Sequence, residues 1–319
     1  MTPPSGSPGP DSTTDFDSAQ RLMTRFTAQL TTQLDRLGKG DRSGSRQGRR
    51  DRPPTLVAVA HGSRDPEALR TVTALLDRVR ALRPGLPVRL GHIELNQPLL
   101  ADTLAALRGE AVLVPLLLSR GYHTEQDIPD AVAAAPHLAA RIAAPLGPDP
   151  LLAEALHARL AEAGRRAGAP YGAGVGAPYG TGAAGAAAPH RAGVVLAAAG
   201  SRDPDAAVDV ARTAALLSAR LGGVPVLPGY ASGSGPTVPE AVRALAALGH
   251  DRIAVASYFT APGRFATQCA NATQAAHTTP GVAAAPLGAH PAVARLVVRR
   301  YEQAIASAPL SPPAATVGV

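Results

Sequence analysis

The pentapeptide Gly-Ser-Arg-Asp-Pro occurs at residues 62–66 and again at 200–204, an offset of 138 residues. Each copy follows an apolar run of strand length, 56–60 in the first case and 194–198 in the second. Five identical residues at matched places after matched runs mark an internal duplication. The chain must therefore build one architecture twice. Continuous apolar runs are what parallel strands buried on both faces require. In the turn, Gly62 permits a tight bend, Ser63 or Asp65 can cap, and Pro66 suits a first helical turn. A helical stretch follows through Leu69, Val72, Leu75, Leu76, Val79 and Leu82. Further strands are predicted at 88–95, 111–118 and 139–144, with a closing helix over 150–164. This alternation implies a parallel sheet covered by helices.

The two repeats occupy 55–164 and 193–307. Between them, 165–192 reads as a Gly-, Ala- and Pro-rich linker containing Gly-Ala-Pro-Tyr twice. Residues 1–54 read as a mobile polar tail and 308–319 as a second tail. Within the first tail, Phe16, Met23, Phe26, Leu30, Leu34 and Leu37 recur at helical spacing, the pattern of a short amphipathic helix.

Composition excludes several functions. Cys269 is the only cysteine, so an intramolecular disulfide, a thiolate zinc site and an iron–sulfur cluster are all ruled out. No apolar run reaches the roughly 18 residues of a membrane span, and no secretory leader pattern opens the chain. A cytoplasmic protein that enters no membrane is expected. The net charge is +7, but Lys39 is the only lysine, and this near-total use of arginine reads as coding bias. Aromatics are 3% and tryptophan is absent, so stacking platforms for bases are scarce and no nucleic-acid partner is expected. A mild positive balance suits a polyanionic small molecule.

Aligning the copies separates fold from chemistry. His61 faces Ala199, Glu94 faces Ser232, and His123, four residues out of register, faces Phe265. Copy one thus carries three potential metal ligands, and copy two has lost all three while keeping the backbone devices of its first loop. Each of the three follows a predicted strand, and open parallel sheets bind ligands at the carboxyl ends of their strands. Two imidazoles and a carboxylate suit Fe²⁺, Co²⁺, Ni²⁺ or Zn²⁺ and leave coordination positions open. An imidazole can also accept a proton near neutrality.

The segments His61-Gly62-Ser63-Arg64-Asp65-Pro66, Glu94-Leu95-Asn96-Gln97-Pro98 and 115–123 followed by Asp127-Ile128-Pro129 resemble the sirohydrochlorin chelatase family, the class II chelatases, in its long two-domain form. The likeness covers about 56–163 well and 193–306 as a degenerate half. It implies an α/β fold of two tandem flavodoxin-like domains, each a small parallel sheet flanked by helices, whose strand ends enclose a cleft. It also implies insertion of a divalent metal, Fe²⁺ for siroheme synthesis, into the tetrapyrrole sirohydrochlorin. His61, Glu94 and His123 would hold the metal, with His61 and His123 catalytic, and no organic cofactor is implied. Insertion of Co²⁺ for cobalamin synthesis, a non-catalytic metal carrier, and a regulatory tetrapyrrole binder are the alternatives.

Other residues receive lesser roles. Ser63, Arg120, Arg264 and Phe265 are candidate substrate contacts. A hydrolase role for Ser63 fails, because no Gly-x-Ser-x-Gly elbow surrounds it and Ser201 persists without a histidine. Arg64–Asp65 and Arg202–Asp203, kept in both copies, read as structural, through capping or an ion pair. His92 shares a strand face with Glu94 by the period of two, but a place away from the pocket is the favoured reading of the two. His137, His157, His190, His250, His277 and His290 read as surface or core residues. Gly200-Ser201 before a helix is a weak phosphate signal.

Overall fold

The computed structural model describes residues 52–166, 191–233, 235–275 and 282–307, with no account of the side chains of 272–275. The predicted helix in 16–37, nearly all of the linker, and the last tail lie outside these residues.

The first lobe opens with β1 (Thr55–Ala60), α1 (Pro66–Leu82), β2 (Val88–His92), α2 (Leu100–Ala106) and β3 (Gly109–Pro115). A five-residue π-helical turn (His123–Asp127) then leads into α3 (Ile128–Ala133), β4 (Leu138–Ile142) and α4 (Pro150–Arg166). The second lobe repeats the plan as β5 (Ala192–Ala198), α5 (Pro204–Arg220), β6 (Val226–Tyr230), α6 (Val238–Ala247), β7 (Arg252–Ser257), α7 (Arg264–Ala275), β8 (Val282–Ala283) and α8 (Pro291–Ala306). All strand pairs are parallel, in the orders β2-β1-β3-β4 and β6-β5-β7-β8. The central strands β1 and β5 are buried on both faces, as their unbroken apolar runs require. Strands β2 and β3 end three residues before the predicted limits. After β2, Leu95 adopts φ 65° and turns the chain back, while Leu117 and Leu118 beyond β3 line a loop instead of a sheet.

The duplicated pentapeptide is explained locally. A Cβ on Gly62 (φ +106°) would lie 1.9 Å from the Glu94 carbonyl oxygen, and one on Gly200 (φ +87°) 1.8 Å from that of Ser232. Only glycine fits either place. Asp65 caps α1 by accepting from the Glu67 amide at 2.9 Å, and Asp203 caps α5 by accepting from Asp205 at 2.9 Å. Pro66 and Pro204 occupy the first helical turns. Ser63 and Ser201 each accept from the amide two residues on, at 3.1 and 3.0 Å.

The long helices do not pack in chain order. α4, which leaves the first sheet, lies against α5, β7 and β8 of the second lobe. α8, which leaves the second sheet, lies against α1, β3 and β4 of the first. Each lobe thus lends its last helix to the other. One continuous apolar core results, reaching from Leu56, Ala58 and Val114 through Leu152, Leu156, Leu196 and Leu217 to Leu296 and Tyr301. The outer faces carry separate cores, Val57, Val59 and Leu113 under α2 and α3, and Val195, Ala197 and Val255 under α6 and α7. The described residues from Pro54 onward accordingly form a single unit. Polar bonds reinforce the exchange. Arg300 donates to the carbonyls of Pro145 and Leu146 at 2.8 and 2.9 Å, and Tyr301 donates to that of Pro54 at 2.7 Å. None of the helices among the described residues is long and apolar enough to cross a membrane.

Residues 52–166 expressed alone would lack α8 over their own sheet and would expose the apolar face of α4. They should yield no cooperatively folding monomer, as judged by circular dichroism and size-exclusion chromatography. A stable monomer from this fragment would contradict the exchange.

Candidate active site

The carboxyl ends of the strands in the two lobes face each other. The Ser201 hydroxyl lies 3.7 Å from where a Cβ on Gly121 would stand, and the Ser63 hydroxyl stands at the same 3.7 Å from Gly263. The first loop of each lobe thus opposes the loop after the third strand of the other. Between them lies a cleft of about 560 Å³, lined by the 116–124 loop of the first lobe and the 198–207 segment of the second. On the first-lobe side it begins at the β1/β3 switch point, where open parallel sheets bind ligands.

His61 and His123 both line this cleft. Their rings stand edge to face with centroids 4.7 Å apart, although 62 positions separate them in the chain. Glu94 places Oε1 3.5 Å from His61 Nδ1, which is also 3.3 Å from the Gly62 carbonyl. The backbone fixes this neighbourhood, since Glu94 donates its amide to the His61 carbonyl at 3.0 Å. Asn96 accepts from the Ser63 amide at 2.6 Å, tying the Glu94 turn to the His61 loop. The equivalent of strained Leu95 in copy two is Gly233, at φ +88°. Copy one therefore tolerates a left-handed leucine beside its glutamate, where copy two relieves the strain. The three side chains meet in pairs. Among the described residues no three His, Cys, Asp or Glu side chains surround one common point in these rotamers.

Asp127, expected only as part of the Asp127-Ile128-Pro129 segment and given no role of its own, touches the site. Its Oδ2 lies 2.5 Å from His123 Nδ1, across one turn of the π-helical segment. A carboxylate can only accept here, so in the neutral form of the imidazole the proton sits on Nδ1 and the lone pair on Nε2. The signal available in the sequence was the i, i+4 spacing of His123 and Asp127. A second, smaller cavity of about 380 Å³ borders Glu94, His123, Asp127 and Asp130 on another side of the same group.

Several expectations need correction. Arg120 is no free contact for a ligand. Its guanidinium donates to both Asp209 oxygens at 3.0 and 2.9 Å and to Asp205 at 2.8 Å, bolting the first lobe to α5. The Asp209 side chain is only 2% exposed. Burial pushes its pKa up, but the hydrogen bonds and charge of Arg120 outweigh burial and hold it below the ordinary aspartate value. Ser63 is a turn residue, its hydroxyl engaged by Asp65 and absent from the cleft lining. Arg264 is exposed outside the lining, while its neighbour Phe265 lines the cleft. As expected, His92 does not reach the pocket. It is 2% exposed, its Nδ1 lies 3.2 Å from the Pro98 carbonyl, and burial lowers its pKa. The period of two fails between His92 and Glu94 because β2 ends at His92. In the Arg-Asp pairs the aspartates cap as expected, but the arginines form no ion pair with the described residues. Across the cleft stand Ala199, Ser232 and Phe265, with Tyr230, Tyr258 and Phe259 beside them. The Tyr258 hydroxyl donates across the lobes to the Leu118 carbonyl at 2.8 Å.

The CbiX family matches residues 55–163 and 193–304. Among characterised relatives, a sirohydrochlorin cobaltochelatase of Methanococcus maripaludis is 32% identical over 78 residues, 23% of this chain and 54% of that protein. The chain thus spans about half the length of that relative. A sirohydrochlorin ferrochelatase of Bacillus subtilis is 28% identical over 194 residues, 58% of this chain and 66% of that protein. In fold, the chain is similar to the structure of SirB from Bacillus subtilis with Fe³⁺, with a TM-score of 0.62 and 23% identity, covering 79% of this chain and 96% of that one.

Replacing Asp127 by Ala frees the His123 ring to rotate and to change tautomer. Co²⁺ affinity, measured by isothermal titration, should fall about tenfold or more, the usual cost of losing such a partner. Asp127→Asn retains an acceptor oxygen and should lose less. Unchanged affinity in Asp127→Ala would show that His123 needs no such support.

Proposed function

The chain belongs to the CbiX family, and from that premise we propose that it inserts a divalent metal ion into sirohydrochlorin, the ion being Fe²⁺. The observation that carries this reading is the pair His61 and His123, rings 4.7 Å apart, at one wall of a cleft whose opposite wall has no ligand in the corresponding places. A macrocycle needs a slot with an apolar wall, and a chelatase needs its metal donors on one side of that slot. The lining meets both needs.

On this reading His61 and His123 present Nε2 lone pairs to the incoming ion and Glu94 supplies a negative charge beside them. A site of nitrogen and oxygen donors without thiolate holds Fe²⁺ or Co²⁺ without trapping it. Insertion forms metal–nitrogen bonds to the ring and releases two pyrrole protons. An imidazole relieved of the metal is a base within the cleft that can take one of them, and the other passes to solvent water. Asp127 acts as a positioning residue, keeping the His123 proton on Nδ1. No organic cofactor has a part in this scheme. Likeness over both lobes to the Bacillus subtilis ferrochelatase favours iron, because it spans 58% of this chain. The competing reading, cobalt insertion, draws on the cobaltochelatase name of the Methanococcus maripaludis relative, a likeness confined to 23% of the chain.

Under anaerobic assay with Fe²⁺ and Co²⁺ compared, Fe²⁺ should give the higher kcat/KM, and the reverse order would move the assignment to cobalt. His61→Ala and His123→Ala should each lower metal insertion by at least about 10²-fold. Both side chains are partly exposed at loop ends, so folding should be little changed. Near-normal insertion by both variants would remove the histidine pair from the mechanism.

A further inference from the structure

Copy two lost its histidine to Ala199 yet kept Gly200-Ser201-Arg202-Asp203-Pro204. Folding accounts for four of the five residues, through a close backbone approach, a hydroxyl turn, a helix cap and a first-turn proline. It does not account for the arginine. Arg202 is exposed and makes no hydrogen bond or ion pair with any described residue. Its twin Arg64 is equally unpaired, but the two stand in different places. Arg202 lines the 560 Å³ cleft, and Arg64 is not part of that lining.

Among the described residues, two arginines, Arg120 and Arg202, line the cleft. The donors of Arg120 are committed to Asp205 and Asp209, which leaves Arg202 as the one with its fork available. Neighbouring acidic groups do not claim it, since Asp203 accepts the Asp205 amide and Asp205 pairs with Arg120. Phe259 and Phe265 of the same lobe line the cleft with it, so a flat anionic molecule would meet an apolar surface and a planar cation on one wall.

We propose that Arg202 anchors a peripheral carboxylate of the tetrapyrrole from the second lobe, opposite the histidine pair. The inference rests on the sirohydrochlorin reading. A guanidinium fork pairs bidentately with a carboxylate, which a lysine in its place could not reproduce. The second copy thus kept its loop to hold the substrate after ceasing to hold metal.

The test is equilibrium binding of metal-free sirohydrochlorin, followed by its fluorescence, with the full-length chain. Arg202→Ala should raise Kd about tenfold, Arg202→Lys should raise it less, and Arg64→Ala should stay within twofold of the parent. The Arg202→Ala effect should shrink as salt is raised, as expected of an exposed ion pair. With saturating tetrapyrrole, kcat of Arg202→Ala should stay within threefold of the parent. Parent-like binding by Arg202→Ala, or equal losses in Arg64→Ala, would overturn the anchor while leaving the chelatase reading intact. Failure of the parent chain itself to bind sirohydrochlorin would overturn both.

Discussion

The exchange of α4 and α8 is the constraint from which the rest of the molecule follows. Neither four-stranded sheet covers its inner face with helices from its own repeat alone. Each borrows the last helix of the other, and the borrowed helices fuse two small cores into one that runs through the whole unit. Burial of that core fixes the relative orientation of the sheets, and that orientation turns their strand ends towards each other. The cleft is a product of how the core is shared. Arg120 with Asp209, and Tyr258 with the Leu118 carbonyl, then lock the loops that form the cleft rim. A buried Asp209 without Arg120 would be an uncompensated charge, so this contact holds geometry more than it adds stability.

On that symmetric frame the chemistry is asymmetric. Both lobes keep the glycine that lets the first loop touch the turn after the second strand, and both keep the aspartate cap. Only the first lobe places imidazoles and a carboxylate at those points. The second offers Ala199, Ser232 and Phe265, small or apolar groups that shape a wall. Duplication followed by division of labour gives one lobe the proposed metal donors and leaves the other free to hold the macrocycle.

Much of this was legible in the sequence, for physical reasons. The strands β1 and β5 are central and buried on both faces, so their apolar runs announce them. Gly62 and Gly200 are demanded by backbone contact and could not drift. The loss of His61, Glu94 and His123 equivalents in copy two was visible because the surrounding residues stayed fixed. Contacts between lobes were not legible. Arg120 has the composition of a surface ligand contact, and nothing local reveals that Asp209, 89 residues away, has taken its donors. The helix exchange is equally hidden, because α4 and α8 have the same amphipathic pattern whichever sheet they cover. Asp127 was missed because its role arises only from a π-helical turn that sets it against His123.

On this proposal there is one metal pole per chain, in the first lobe, facing a wall that lacks counterparts of His61, Glu94 and His123. This is tested most directly by counting Co²⁺ bound per chain at equilibrium dialysis, for the parent and for the double variant Glu94→Ala/His61→Ala. One specific site is expected in the parent and none in the variant. Two sites of comparable affinity in the parent, or a specific site surviving in the variant, would contradict it.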